Sequence, residues 1–219
     1  MRQIYKIASK NPLFRGISQE DFSSMCNCLC ARVASYPKDA VLLLTGDAVR
    51  EVGLVLSGTV RILKEDVGGK VSMMTELDAP ELFGEVFACA EVDNSPVTVQ
   101  AKTNCQVLFL NYRKIITICP SACPFHTGLI ENMLRLLAQK TLLLNQKTEI
   151  LSKRTTREKL LCFFDVQRRG ARAFTVPYNR EAMANYLCVD RSAMSHELSK
   201  LRDEGLIRFH KNEFEVLYD

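Results

Sequence analysis

The 219-residue sequence predicts an α+β chain in three sections: a small β-roll, one long helix and a winged helix-turn-helix. Three observations predict it. Short β-like runs bounded by Gly, Pro and Asp follow one another through the first part of the chain. An uninterrupted helical period then occupies about Pro124 to Ser152. Two short amphipathic helices and an alternating apolar pattern close the chain. The sections are placed at 1–123, 124–152 and 153–219.

In the first section, Gln19 to Arg32 has the spacing of a short helix. The clearest strands lie in Val52 to Leu63, where two β-branched runs are interrupted by Ser57-Gly58. Val97-Thr98-Val99 and Gln106 to Leu110 are further strands. Regularly spaced short strands with turn signals argue for a small barrel or roll.

In the middle section, Ile130, Leu134, Leu137, Thr141, Leu144, Thr148 and Leu151 alternate at spacings of four and three. That is an a/d seam over three heptads, with no Pro or Gly after Gly128. Such a narrow stripe predicts pairing with a second copy of the chain. The alternative is that it packs on its own β domain.

The final section opens with a helix at Thr156 to Val166, followed by a strand candidate, Phe174-Thr175-Val176. Asn179 then caps a helix whose buried side is Met183, Tyr186 and Leu187. After a turn of three or four residues, Asp190 caps a second helix, in which Met194, Leu198 and Leu201 form the apolar stripe. Gly205 stops it. Ile207 and Phe209, then Phe214 and Val216, flank His210-Lys211-Asn212 as a short hairpin, the wing. The solvent face of the second helix carries Arg191, Ser192, Ser195, His196 and Ser199, donors short enough to reach base edges. This pattern matches the helix-turn-helix that reads a DNA major groove.

Composition agrees with a soluble globular protein: 47% hydrophobic and 25% charged residues. No apolar run is long enough to span a bilayer, and the start lacks a signal-peptide core, so a cytoplasmic location and no membrane partner are expected. The nine cysteines, an odd number, are then expected as thiols. Of the net charge of +4, most lies from residue 152 onward, with 13 Lys and Arg against 10 Asp and Glu. That excess suits phosphate contacts, which supply affinity without sequence information.

With these motifs in place, the chain resembles the Crp/Fnr family of bacterial transcription regulators over nearly its whole length. The resemblance rests on Asn11-Pro12-Leu13-Phe14, Leu56-Ser57-Gly58-Thr59-Val60 and Leu82-Phe83-Gly84-Glu85 in the roll. It rests equally on Asp190-Arg191-Ser192 through Leu201 and on Glu204-Gly205-Leu206-Ile207. It implies a cyclic-nucleotide-binding-like roll, a homodimer, a palindromic double-stranded DNA operator and, for an activator, RNA polymerase as a partner. It also implies a small effector in the roll or at the dimer helix, with Gly84, Glu85, Ser95, Pro96 and Leu142 as pocket candidates.

The effector's identity stays open. In cyclic-nucleotide-binding relatives a Gly-Glu pair meets the ribose and a later Arg clamps the phosphate. Here Gly84 and Glu85 stand, but Ser95 followed by Pro96 occupies the Arg position. A hydroxyl cannot replace a guanidinium fork on a charged phosphate. Leu142-Leu143-Leu144 also lies where cyclic-AMP binders present small hydroxyls to the base. Cyclic AMP is therefore disfavoured, and Glu85 has the alternative of a structural carboxylate.

Iron–sulfur members of the family carry an N-terminal cysteine cluster plus a later cysteine. Cys26, Cys28 and Cys30, with Cys119 and Cys123, offer a similar inventory for a redox- or metal-responsive alternative. In a helix, however, Cys28 points away from Cys26 and Cys30, so no iron–sulfur cluster is expected. Haem is disfavoured because, of the three histidines, only His126 lies near the sensor, where a solvated or helix-capping role is expected. No HExxH, GxSxG, P-loop or CxxC pattern is present, so no enzyme is expected. A non-DNA-binding interaction scaffold is the alternative of another class.

At the DNA, Arg191, Ser192, Ser195 and His196 are assigned to base edges, with Arg191 suited to a bidentate guanine contact. Ser199 shares their face. Lys200, Lys211 and Asn212 are phosphate candidates. Better-known members carry Arg-Glu and a later Arg on this helix. Ser192 and His196 replace the latter two, so a different half-site is expected.

Overall fold

The computed structural model describes residues 1–117 and 123–218. By packing, the chain forms two compact units, Met1–Ala138 and Gln139–Asp219.

The first unit opens with α1 (Arg2–Ala8), a 3-10 turn at Pro12–Phe14 capped by the Asn11 side chain, and α2 (Gln19–Cys28). The Ser18 hydroxyl accepts from the Asp21 N–H and so caps α2. The helix ends earlier than its spacing predicts. Cys30 takes a left-handed backbone (φ 51°), and Arg32 already begins a strand. The apolar pattern continues across this break because both sides of it face one core, which hides the boundary from sequence.

Eight strands follow: β1 (Arg32–Tyr36), β2 (Val41–Leu43), β3 (Glu51–Ser57), β4 (Thr59–Glu65), β5 (Val71–Asp78), β6 (Leu82–Phe83), β7 (Thr98–Ala101) and β8 (Cys105–Asn111). They build two four-stranded sheets, ordered β1-β8-β3-β6 and β2-β7-β4-β5, with neighbouring strands antiparallel. Gly58 turns the chain from one sheet to the other at φ +76°; a Cβ there would lie 2.3 Å from the Asn104 carbonyl oxygen. Between the sheets Val55, Val60, Phe83, Val99, Val107 and Phe109 are buried.

Two short helices, α3 (Glu85–Cys89) and α4 (Tyr112–Ile116), and the long α5 (Pro124–Ser152) complete the helical layer. Phe125, Leu129, Met133 and Leu136 of α5 join Leu13, Phe14, Phe22 and Met25 in its core. That stripe is adjacent to the predicted seam. Ile130 and Leu137 are half-buried, whereas Leu134 is 62% exposed.

The second unit holds the rest of α5, where Leu144 is 64% exposed, Thr141 and Thr148 are exposed, and Leu151 is half-buried. Next come α6 (Thr156–Arg168), β9 (Ala173–Thr175), α7 (Arg180–Leu187), α8 (Arg191–Asp203), β10 (Ile207–His210) and β11 (Glu213–Val216). The strands form one antiparallel sheet, β10-β11-β9. Thr155 and Glu158 make a reciprocal capping box at the start of α6. Asn179 and Asp190 cap α7 and α8 through the Ala182 and Ala193 N–H groups. Phe163, Phe164, Met183, Leu187, Met194, Leu198, Leu201 and Phe214 form the core of this unit. Among the described residues, no helix is long and apolar enough to cross a membrane.

Candidate nucleic-acid interface and sensor pocket

Three residues, Cys188 to Asp190, separate α7 from α8. Cys188 ends α7 in the left-handed region, at φ 51° and ψ 54°, where glycine is the unstrained residue. Lys159 of α6 holds this turn by donating to the Leu187 carbonyl at 3.1 Å. Arg157 of the same helix reaches Glu197 at 3.3 Å and Glu204 at 3.0 Å, tying α8 at two points. The reading pair is thus fixed by polar contacts to α6 as well as by its apolar stripe. Neither lysine nor arginine was singled out for this by the sequence pattern, because their partners lie 28 to 47 residues away.

Of the predicted DNA-facing residues, Arg191, Ser192, Ser195, His196, Lys200, Lys211 and Asn212 are exposed, and Ser199 is half-buried. The serine hydroxyls are engaged locally. Ser192 donates to Asp190 at 2.5 Å, Ser195 to the Arg191 carbonyl at 2.8 Å, and Ser199 to the Ser195 carbonyl at 3.1 Å. Their protons are committed, so in this arrangement these hydroxyls meet a base as acceptors. The Ser192 hydroxyl and the Ala193 N–H hold the Asp190 carboxyl below the usual carboxylate range. Lys200 lies 3.9 Å from Glu197, a loose pair on an exposed surface.

Arg191, Lys211 and Asn212 line one open groove together with Asn179, Arg180 and Glu181. The groove brings the start of α8, the start of α7 and the wing tip together. Asn212 is bound into it by its carbonyl, which accepts from the Val176 N–H at 2.9 Å. Arg180 escaped the sequence reading. Its guanidinium lies over Phe209 at 4.8 Å and Phe214 at 5.1 Å, and burial lowers its pKa. It supports the wing from beneath by cation–π contact.

The sensor unit is different from expectation. A cavity of about 320 Å³ is lined by Arg32, Leu42, Leu43, Ala48, Val49, Arg50, Glu51, Phe83, Gly84, Phe109 and Asn111. Of the pocket candidates, Gly84 alone lines it. Ser95 is 2% exposed, donates to the Val97 carbonyl at 2.7 Å and accepts from the Val97 N–H at 3.3 Å. Its backbone also pairs with Asp47 and Gly46. Ser95 is therefore a loop staple whose hydroxyl is satisfied internally. Pro96 is exposed, Glu85 is buried in the first turn of α3, and Leu142 belongs to the second unit with 62% exposure. Within the cavity Arg32 pairs with Glu51 at 2.6 Å and lies 4.1 Å from the Phe109 ring centroid. These groups come from three strands of one sheet, and nothing in their local sequence marks the convergence.

The cysteines separate by environment. Cys26 is buried in the helical core, and burial pushes its thiol up to about 11. Cys30 is exposed and accepts from Lys114 Nζ at 2.8 Å. Cys28 Sγ lies 4.0 Å from His126 Nε2, and Cys30 lies beyond the end of α2, so it does not share a helical face with Cys26 as the spacing predicts; Cys119 lies outside the described residues. His126 corrects its expected role: it is only 6% exposed, stacks on Phe125 at 4.7 Å, and has Nε2 4.0 Å from Cys28 Sγ.

Comparison with known proteins adds two family matches. Residues 33–121 match the cyclic nucleotide-binding domain and residues 141–218 the Crp-like helix-turn-helix domain. The chain is 25% identical over 209 residues to the cyclic AMP receptor protein of Thermus thermophilus, covering 94% of this chain and 92% of that one. It is 24% identical over 210 residues to the cAMP-activated global transcriptional regulator CRP of Escherichia coli O157:H7, covering 87% and 90%. Among solved structures, the Thermus thermophilus catabolite activator protein superposes with a TM-score of 0.57 at 22% identity, covering 94% of this chain and 93% of that one.

Proposed function

Because the chain belongs to the Crp/Fnr family of transcription regulators, whose Crp-like helix-turn-helix members bind DNA and act as dimers, we propose that it reads a palindromic operator as a homodimer through Arg191 and the wing. The observation that carries this reading is the single groove shared by Arg191, Lys211 and Asn212. A base-reading guanidinium and a phosphate-binding ammonium on one surface allow the helix to enter the major groove while the wing follows the backbone. Two such surfaces in a symmetric dimer meet half-sites about 10 base pairs apart.

The dimer is supported by Leu134, which stays exposed beside the buried stripe of Phe125 to Leu136, and by Leu144, exposed together with Leu142 and Leu143 farther along α5. An exposed pair of leucines at a/d spacing gains most by burial against its own copy.

The relatives above are named for cyclic AMP, and this reading departs from them at the effector. Ser95 supplies no cation for a cyclic phosphate, and its hydroxyl is already bonded to Val97. Cyclic AMP is therefore disfavoured as the effector, and the cavity beside Gly84, with Arg32, Arg50, Glu51 and Asn111 on its wall, is the proposed effector site.

Selection of bound duplexes from a random pool tests the DNA reading. Enrichment of an inverted repeat is expected; recovery of no motif, with binding indifferent to sequence, favours the scaffold alternative. Calorimetric titration with cyclic AMP is expected to give no heat of binding, and micromolar binding would overturn the effector assignment.

A further inference from the structure

A second concentration of chemistry in the first unit lies apart from the cavity. Cys28 is the last residue of α2, Cys123 directly precedes α5, and His126 stands in the first turn of α5. Each offers one ligand atom, and the three atoms lie within 4.8 Å of one another. Cys28 Sγ is 4.0 Å from His126 Nε2. The His126 ring is more than nine-tenths buried, and its Nδ1 has no hydrogen-bond partner among the described residues. The ring nitrogen that meets the Cys28 thiol is the other one, Nε2, and it is this atom that the cluster offers to an ion. An imidazole enclosed this way, with one nitrogen turned to a pair of thiols, has the surroundings of a metal ligand.

We propose that Cys28, Cys123 and His126 form a mononuclear site for a thiophilic divalent cation, with zinc the ion that fits best. Zinc takes thiolate sulfur at about 2.3 Å and imidazole nitrogen at about 2.0–2.1 Å in a tetrahedron. Those bond lengths place neighbouring ligand atoms roughly 3.5–3.8 Å apart, so the present arrangement closes on the ion by modest side-chain movement. Two sulfurs and one nitrogen suit a borderline-soft ion such as zinc and disfavour magnesium or calcium. Only two thiols converge here among the described residues, short of the four that an iron–sulfur cluster takes from an all-cysteine set.

On binding, each thiol releases its proton to solvent and becomes a thiolate, while His126 ligates through Nε2 and keeps its proton on Nδ1. Three protein ligands leave one tetrahedral position for water or an exogenous ligand. The ion would join the end of α2 to the beginning of α5, two elements that also pack into one apolar core. The site is independent of the DNA reading, since neither its ligands nor its test involves the second unit's surface.

The test uses the full-length chain carrying Cys30→Ser and Cys188→Ser, which removes the two thiols outside the site that are exposed among the described residues. The protein is stripped with chelator under reductant and titrated with Co²⁺, then with Zn²⁺ in competition with a chromophoric chelator. One cobalt per chain is expected, with thiolate-to-cobalt charge-transfer absorption and a tetrahedral ligand-field spectrum displaced by zinc. Cys28→Ser, Cys123→Ser and His126→Gln should each weaken binding at least tenfold while circular dichroism stays native. X-ray absorption of the zinc form, which needs no variant, should return two sulfurs and at least one nitrogen. Wild-type affinity in all three variants, no stoichiometric uptake, or a coordination shell of sulfur alone would each overturn the site.

Discussion

Lys159 Nζ donates to the Leu187 carbonyl at 3.1 Å, so a helix outside the helix-turn-helix holds the turn on which that motif depends. The contact joins a cation to a carbonyl at the negative end of α7. Lys159→Met keeps the aliphatic stem and removes the charge. It should lower the stability of the second unit by about 1 kcal/mol, measured by denaturant unfolding. Unchanged stability would show that the apolar stripe alone sets the turn.

Cys188 in the same turn makes the opposite prediction. Its left-handed backbone favours glycine, and the glycine's greater freedom in the unfolded chain offsets only part of the relief. Cys188→Gly should stabilise by about 0.5–1 kcal/mol, and a lower melting temperature would contradict the strain argument.

Arg191 and Lys211 line one groove but should fail differently. Arg191→Ala should cost about 1–3 kcal/mol on the selected operator and little on random duplex. Lys211→Ala should weaken both alike and reduce the salt slope by about 1. Fluorescence anisotropy on matched duplexes at several salt concentrations measures both. Equal losses on specific and random DNA for Arg191→Ala would remove its base-reading role.

Leu134 and Leu144 bear on the dimer. A carboxylate at either position would be desolvated against its counterpart in the other copy. Leu134→Glu and Leu144→Glu should each weaken self-association about tenfold or more, equivalent to about 1.4 kcal/mol. Sedimentation equilibrium is the measurement, and dimerisation untouched by both variants would place the interface elsewhere.

Asp190 lends the second unit an acid dependence. Its folded carboxyl lies below the usual range because Ser192 and the Ala193 N–H bond to the ionised form. A folded value below the unfolded one means stability that is complete above the ordinary carboxylate range and lost as pH falls through it toward the lowered value. Asp190→Asn keeps a capping oxygen but does not titrate. The melting-temperature gap between wild type and this variant should therefore be widest at neutral pH and close in acid. A gap independent of pH would rule the linkage out.

Much of this molecule is legible from local pattern. Asn179 and Asp190 cap the helices they precede, Met194, Leu198 and Leu201 are buried, and Phe214 and Val216 face inward from the wing, because helical and strand periods are written in neighbouring residues. The short strands, the long helix and the closing helix pair follow from the same short-range physics, whereas the two packing units meet at Ala138 and Gln139, inside the helix that the sequence sets apart as a section of its own.

What only tertiary structure decides is which distant residues meet. The sequence cannot say that Ser95 spends its hydroxyl on Val97, that Arg32 and Glu51 face one cavity, or that Cys28 approaches His126, 98 residues away. The physical reason is the same in each case. Helix and strand periods record only which face of an element is apolar, whereas a site is made where faces of separate elements are brought together by packing that optimises the core as a whole.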